Sequence, residues 1–216
     1  MRPLSDSQRE ILEEAATSYQ QAVSVDVARY LQARGIGQAE AATFRLGYVA
    51  DPHPGHEHVR GRLAIPYLGH DGRVLSIRFR CLGQHKCSDL NHGKYMSLRG
   101  EPTRMYNVPA LHAAGDEIHL TEGELDAIIL SKIGLHAVAV AGNHAWAGRH
   151  RRMLAGFSRV WTWADPDQAG SELTNTVTRA LVTAKPVRLR EGDVGETYLK
   201  HGAEHLLSLL EPKEVR

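Results

Sequence analysis

The sequence predicts an α/β protein in which a parallel sheet covered by helices follows a smaller, basic subdomain of mixed α+β structure. From residue 117 onward, short apolar segments alternate with segments of helical periodicity, which is typical of a parallel sheet with helical crossovers. Upstream, residues 62–67 and 73–80 alternate in polarity around a Gly/Asp-rich turn at 69–72, which predicts a β-hairpin. We therefore expect two domains, 1–110 and 111–216.

The elements of the first domain follow from local periodicity. Apolar side chains recur at helical spacing within 7–35 and predict two helices, and 39–44 predicts one more short helix. The Pro-, Gly- and His-rich stretch 51–58 has no periodicity and is expected to be a loop. Residues 81–106 are polar and predict a loop with short strands.

The sequence pattern of the second domain predicts four strands and four helices in alternation. The segment 137–141 reads AVAVA, an apolar run of the kind expected for a strand buried on both faces. The expected strands are 118–120, 137–141, 160–164 and 186–189, and the expected helices are 124–133, 149–157, 168–184 and 196–210.

Composition excludes several classes of protein. With 42% hydrophobic and 24% charged residues, the chain has the composition of a folded protein and not of a disordered one. No segment approaches the roughly 20 apolar residues of a membrane span, and the N-terminus lacks a signal-peptide core, so we expect a cytoplasmic protein. Two cysteines exclude a disulfide scaffold. The net charge of the whole chain is only +1, so the total charge does not indicate a nucleic-acid-binding protein.

Carboxylates follow three of the predicted strands. Glu122 ends the first, Asp165 and Asp167 end the third, and Asp193 follows the fourth, while Asp126 lies one helical turn beyond Glu122. The carboxyl ends of parallel strands meet at one sheet edge, and carboxylates gathered there need cations such as Mg²⁺ or Mn²⁺. The alternative is that these groups are solvated or cap the following helices, as Asp167 would.

The segments around these carboxylates resemble the two signature motifs of the TOPRIM fold, which DnaG-type primases, type IA and II topoisomerases and some nucleases share. They read TEGELDA at 121–127 and ADPDQAG at 164–170, and the second is closer to primases than to topoisomerases. The resemblance implies catalytic roles for Glu122, Asp165 and Asp167. It also implies that these three hold two Mg²⁺ or Mn²⁺ ions, with Asp126 and Asp193 assisting.

Positive charge is concentrated in residues 60–104, where nine Lys and Arg stand against three Asp and Glu, a local charge of +6. Such a surface suits a phosphate backbone and triphosphates, although a solvated β surface is the alternative. Here the chain resembles the RNA-polymerase domain of DnaG-type primases, in RGRLAIP at 60–66, KYMS at 94–97 and RMYN at 104–107. We therefore expect the template and nucleotides to contact Arg60, Arg62, Arg78, Arg80, Lys94 and Arg104.

The resemblance to primases spans roughly residues 25–202, and the short primases of actinobacterial phages are similar. It implies an enzyme that makes RNA primers on single-stranded DNA from ribonucleoside triphosphates, in the host cytoplasm if a phage encodes it. A four-cysteine zinc ribbon is missing and the chain ends soon after the TOPRIM unit, so we expect a replicative helicase or a zinc-binding protein to act in trans. A TOPRIM-type nuclease and a non-catalytic nucleic-acid-binding accessory factor of a phage or mobile element remain alternatives.

Two thiols and two imidazoles lie within twelve residues of one polar loop, at Cys81, His85, Cys87 and His92. Zn²⁺ takes four such ligands tetrahedrally, and a loop of this length can wrap one ion. The alternative is a pair of reduced surface thiols in a chain that has 13 histidines. The sequence leaves both interpretations open.

Overall fold

The computed structural model describes residues 4–141 and 145–210. The chain divides into two compact units, 1–102 and 103–216, so the division lies somewhat before the expected 110/111 boundary. The first unit contains an antiparallel sheet and the second a parallel sheet with helices, which confirms the predicted α/β fold class. Across the described residues, no helix combines the length and apolar character needed to cross a bilayer.

The first unit packs helices against a four-stranded antiparallel sheet of order β1-β2-β3-β4. Its elements are α1 (Asp6–Gln21), α2 (Val25–Gln32), α3 (Gln38–Thr43), β1 (Gly47–Tyr48), β2 (Arg62–Leu68), β3 (Val74–Cys81) and β4 (Tyr95–Ser97), with 3-10 turns at Glu57–Val59 and Cys87–Leu90. The predicted hairpin is β2 and β3, and the predicted helices match α1, α2 and α3.

Helix α1 begins at a capping box and is buried by close contact with β1. The Ser5 hydroxyl accepts a hydrogen bond from the backbone N–H of Gln8, and the Gln8 side chain accepts one from the N–H of Ser5. Buried Tyr19 packs edge-on against Phe79 of β3. A Cβ at Gly47 would lie only 2.5 Å from the Tyr19 carbonyl carbon, so only glycine allows β1 to approach α1 this closely.

The second unit is a four-stranded parallel sheet of order β6-β5-β7-β8 with helical connections. Its elements are α4 (Pro109–Ala113), β5 (Glu117–Thr121), α5 (Glu124–Lys132), β6 (Ala137–Ala139), α6 (Gly148–Leu154), β7 (Arg159–Ala164), α7 (Gln168–Ala180), β8 (Ala184–Arg188) and α8 (Val194–Ser208), the last kinked at Gly202.

The strand order explains the burial of this sheet. Residues 137–140 of the AVAVA run are fully buried although β6 is an edge strand. Helices α4 and α5 pack against β6, and Tyr106 forms an antiparallel bridge with Ala139 along its outer edge. At the other edge, β8 contains Pro186, which has no N–H to donate and is tolerated in an edge strand. The order also places β5 directly beside β7, with Thr121 opposite Trp163. The segments that follow these two strands therefore leave the sheet side by side.

Candidate functional site

Glu122 leaves the carboxyl end of β5 through a tightly held turn. The buried Thr121 hydroxyl donates to the Gly123 carbonyl oxygen at 2.9 Å and lies 3.3 Å from the Val138 carbonyl oxygen of β6. Gly123 caps α5, and a Cβ there would lie 2.5 Å from Oδ2 of Asp126. The turn holds Glu122 half-buried at the sheet edge.

The turn after β7 carries the two aspartates and is held by Gly170. Asp167 caps α7, since its Oδ1 accepts a hydrogen bond from the Gly170 N–H at 2.8 Å. A Cβ at Gly170 would lie 2.3 Å from the Asp165 carbonyl oxygen, so the helix can begin this close to the turn only with glycine there. Capping uses one carboxylate oxygen of Asp167. The role of Asp167 as a helix cap therefore does not exclude metal binding by its second carboxylate oxygen.

Electrostatics links Glu122 to both aspartates. Burial raises the pKa of Glu122, and the negative charges of Asp165 and Asp167 raise it further. The protein thus places three carboxylates where their charges repel one another. Such an oxygen-donor set suits Mg²⁺ or Mn²⁺, which would neutralise the charge.

Asp126 and Asp193 lie together at the start of α8. Oδ1 of Asp126 accepts a hydrogen bond from the Gly195 N–H at 3.1 Å, and Oδ1 of Asp193 accepts one from the Glu196 N–H at 2.7 Å. Both carboxylates therefore fasten the first turn of α8. The GDVGE segment at 192–196 achieves this through Gly192, whose φ of 64° favours glycine.

In the first unit, two of the predicted nucleic-acid contacts are buried. Arg62 is 7% exposed, and its Nη1 donates to the Gly93 carbonyl oxygen at 2.9 Å. Arg80 is 4% exposed, and it donates from Nε to the Tyr30 hydroxyl at 2.7 Å and from Nη1 to the Tyr95 hydroxyl. Both guanidinium groups therefore organise neighbouring segments of this unit.

The other predicted cations are accessible to solvent. Arg60 and Lys94 are exposed, and Arg78 and Arg104 are partly exposed. The guanidinium of Arg78 lies over the Tyr95 ring, 4.5 Å from its centroid, and that of Arg80 lies 5.0 Å from the same centroid. Tyr95 was not selected as a candidate residue from the sequence. Its position directly after Lys94 was a signal, because neighbouring basic and aromatic residues are typical of surfaces that bind single-stranded nucleic acid.

The four Cys and His side chains of the 81–92 loop converge. The Cys81 Sγ lies 3.6 Å from Nε2 of His85, and the Nε2 atoms of His85 and His92 are 3.0 Å apart. One donor atom from each of the four residues lies within 4.8 Å of every other. Within residues 4–141 and 145–210, this is the one group of three or more His, Cys, Asp or Glu close enough to hold a metal ion; the carboxylates at the sheet edge are less tightly grouped.

Comparison with known proteins gives a consistent result. No protein-family model matches the chain. The gene 57 protein of Mycobacterium phage D29 is 34% identical over 153 residues, which cover 68% of this chain and 97% of the phage protein. A DNA primase of Clostridium acetobutylicum is 24% identical over 184 residues, or 81% of this chain, but the match spans only 31% of that primase.

Solved primase structures share the fold. The zinc-binding and RNA polymerase domains of Aquifex aeolicus primase align with a TM-score of 0.79 and 21% identity, covering 95% of this chain and 61% of that one. The DnaG primase catalytic domain bound to single-stranded DNA aligns with a TM-score of 0.73 and 20% identity, covering 94% of this chain and 77% of that one. The predicted resemblance is confirmed: the chain is a primase-like protein with the fold of the DnaG RNA polymerase domain, and it belongs to the family of the gene 57 protein of Mycobacterium phage D29.

Proposed function

We propose that this chain is the catalytic core of a DNA primase, a nucleotidyltransferase that makes short RNA primers on single-stranded DNA during replication. The observation that carries the proposal is the pairing of β5 with β7, since it brings Glu122 within electrostatic reach of Asp165 and Asp167 in a primase fold. On this proposal the parallel sheet is a TOPRIM domain that acts in the cytoplasm of a bacterial host.

The carboxylates would hold two Mg²⁺ or Mn²⁺ ions, with Glu122, Asp165 and Asp167 as principal ligands and Asp126 and Asp193 assisting. When bound, such ions lower the pKa of a 3′-hydroxyl and neutralise the charge of departing pyrophosphate. As the resemblance to primases implies, Glu122 would also take part in acid–base chemistry.

The accessible cations of the first unit would hold the template and the incoming triphosphates. Arg60, Arg78 and Lys94 reach solvent. The partly exposed Tyr95 ring, with the Arg78 guanidinium over it, would add an aromatic and cationic surface of the kind on which bases stack. The solved DnaG catalytic domain bound to single-stranded DNA supports this role. Buried Arg62 and Arg80 would act indirectly, by positioning the strands that carry these groups. We also propose Arg104, which is partly exposed, as a nucleic-acid or nucleotide contact.

Primer synthesis is tested with single-stranded DNA, labelled ribonucleotides and Mg²⁺ or Mn²⁺, with and without a replicative helicase. We expect oligoribonucleotide products from the wild-type chain, and a loss of at least about 10²-fold in the Asp165→Asn variant, which keeps the side chain's shape. The matched control is Asp116→Asn, an exposed aspartate just before β5, at the opposite end of that strand from Glu122. We expect this control to retain activity.

Two outcomes would contradict the proposal. Degradation of the DNA without oligoribonucleotide products would identify a nuclease. Binding of DNA without any synthesis, with either metal and with the helicase present, would identify a non-catalytic accessory factor.

A further inference from the structure

Two of the distances among the four donors of the 81–92 loop are close to those of a tetrahedral zinc site. With Zn–S near 2.3 Å and Zn–N near 2.05 Å, a regular tetrahedron places two nitrogens about 3.3 Å apart and a sulfur and a nitrogen about 3.6 Å apart. The His85–His92 nitrogen pair is 3.0 Å apart and the Cys81–His85 sulfur–nitrogen pair is 3.6 Å apart. The longest edge of that tetrahedron, between two sulfurs, is about 3.8 Å. The four donors lie within 4.8 Å of one another, so they close around an ion with side-chain shifts of up to about 1 Å.

The backbone of the loop is shaped around these side chains. A Cβ at Gly83 would lie 2.2 Å from Cε1 of His85, so the imidazole occupies the space that any other residue at 83 would fill. Asn91 adopts a left-handed conformation with φ of 54°, and the His92 N–H then donates to the Cys87 carbonyl oxygen at 3.1 Å. These features bring residues that are distant along the loop to one point.

Apolar packing does not order this loop. Between residues 82 and 92 no side chain is buried, and Leu90 is 60% exposed. Fixing the backbone costs about 1–2 kcal/mol per residue in conformational entropy, and this cost must be offset by another interaction. Metal binding is an interaction that orders short polar loops of this kind.

The loop joins two strands of the basic sheet. Cys81 ends β3 and donates its N–H to the Lys94 carbonyl oxygen at 2.8 Å, next to the pairing of Arg80 with Tyr95. At the other end of the loop, Nδ1 of His92 lies 3.2 Å from the Gly93 carbonyl oxygen and 3.1 Å from Nη2 of Arg62. When Nε2 binds a metal, Nδ1 carries the proton and donates it to the carbonyl oxygen, and Arg62 keeps its own bond to that oxygen. An ion bound here would close the loop that connects β3 to the three-residue strand β4.

We propose that Cys81, His85, Cys87 and His92 bind one Zn²⁺, and that this ion holds β4 against β3 so that Tyr95 and Lys94 are presented to single-stranded nucleic acid. The metal site stands on its own geometry. Its effect on nucleic-acid binding rests on the proposed function of the first unit.

The metal site is tested by elemental analysis of the purified full chain. We expect about one zinc per chain, and after replacement by Co²⁺ we expect the visible bands of tetrahedral cobalt together with a thiolate charge-transfer band. The double variant Cys81→Ser/Cys87→Ser should lose both signals. His58→Ala, at an exposed histidine outside the cluster, should retain them. Zinc that stays well below one per chain after incubation with zinc chloride, or that remains in the double variant, would overturn the proposal.

The effect on nucleic acid is tested by fluorescence anisotropy with labelled single-stranded DNA. Removal of zinc by a chelator should weaken binding about tenfold, equivalent to the loss of one base–aromatic stack, and added zinc should restore it. Tyr95→Ala should weaken binding by a similar factor and make it insensitive to zinc. Equal binding with and without zinc would overturn the link between the ion and the DNA surface. Wild-type affinity in Tyr95→Ala would contradict the role of this surface, while the zinc content would remain a separate result.

Discussion

Replacing Gly170 with alanine should displace the turn that carries Asp165 and Asp167. Gly170 lies in the first turn of α7, against the backbone of that turn. An added Cβ would lie 2.3 Å from the carbonyl oxygen of Asp165 and 2.7 Å from its nitrogen, although real Cβ contacts essentially never fall below 3.0 Å. The helix and the turn must therefore separate by about 0.7 Å.

Two effects on stability oppose each other in this variant. Alanine is favoured over glycine within a helix by about 1 kcal/mol. Overpacking costs about 1–3 kcal/mol, and the upper end applies here because the neighbouring atoms are backbone and cannot rotate away. We expect a net loss of about 1–2 kcal/mol in the free energy of unfolding. The effect on primer synthesis should be larger, because a displacement approaching 1 Å at a catalytic group can lower a rate about 10²-fold.

Urea unfolding followed by circular dichroism measures the first effect, and primer synthesis measures the second. Gly148→Ala is the matched control, since Gly148 begins α6 and the nearest atom to its added Cβ is in the Arg152 side chain at 3.9 Å. This control should be as stable as the wild-type chain or slightly more stable. Wild-type stability and activity in Gly170→Ala would refute the assignment of Gly170 as the residue that holds the aspartate turn in place.

Three further predictions concern the framework of the two units. Burial lowers the pKa of His119 to about 4, so below pH 6.5 the unfolded chain gains a proton that the folded chain does not. Up to about 3 kcal/mol of stability should therefore be lost between about pH 6.5 and pH 4, measured by urea unfolding, and an unchanged pH dependence in His119→Gln would contradict this. Arg80→Lys loses a planar donor that bonds two tyrosine hydroxyls, so it should lower the free energy of unfolding by about 1–3 kcal/mol. The control, Arg73→Lys at an exposed arginine, should change it by less than about 0.5 kcal/mol. Equal stabilities of the two variants would refute the role of Arg80. Gly47→Ala places a Cβ 2.5 Å from the backbone of α1 and should lower the free energy of unfolding by about 1–3 kcal/mol. The control is Gly115→Ala, which has open space around its Cβ and should remain as stable as the wild-type chain. If thermal unfolding shows both variants unchanged, the close contact of β1 with α1 is contradicted.

Most helices and strands could be predicted from the chain because their signals are local. The alternation around the turn at 69–72 and the apolar run at 137–141 depend only on residues close in sequence. Both predicted a strand that the structure contains, although the second is shorter than expected and covers Ala137–Ala139. Element ends were less exact. The strand expected at 186–189 is Ala184–Arg188, and α8 begins at residue 194 because Asp193 caps it. Capping depends on side-chain geometry as well as on periodicity.

The roles of the basic residues could not be read from charge. Nine cations in residues 60–104 predict a basic surface, but a count of charges does not show which guanidinium groups are turned inward. Arg62 is held by carbonyl oxygens at 93 and 94, and Arg80 by two phenolic hydroxyls. These partners lie 15 to 50 residues away along the chain, so only folding brings them together.

The sequence by itself determined the fold class, the candidate site residues and the resemblance to primases, because periodicity and motifs are encoded over short spans. Only the tertiary structure decided that β5 lies beside β7 with β6 outside them, and hence that the charges of Asp165 and Asp167 raise the pKa of Glu122. It also decided that four donors of one polar loop converge to within 4.8 Å. The physical reason is that strand order and loop closure depend on contacts between distant segments. The local sequence pattern does not specify those contacts, which are determined by how the core packs.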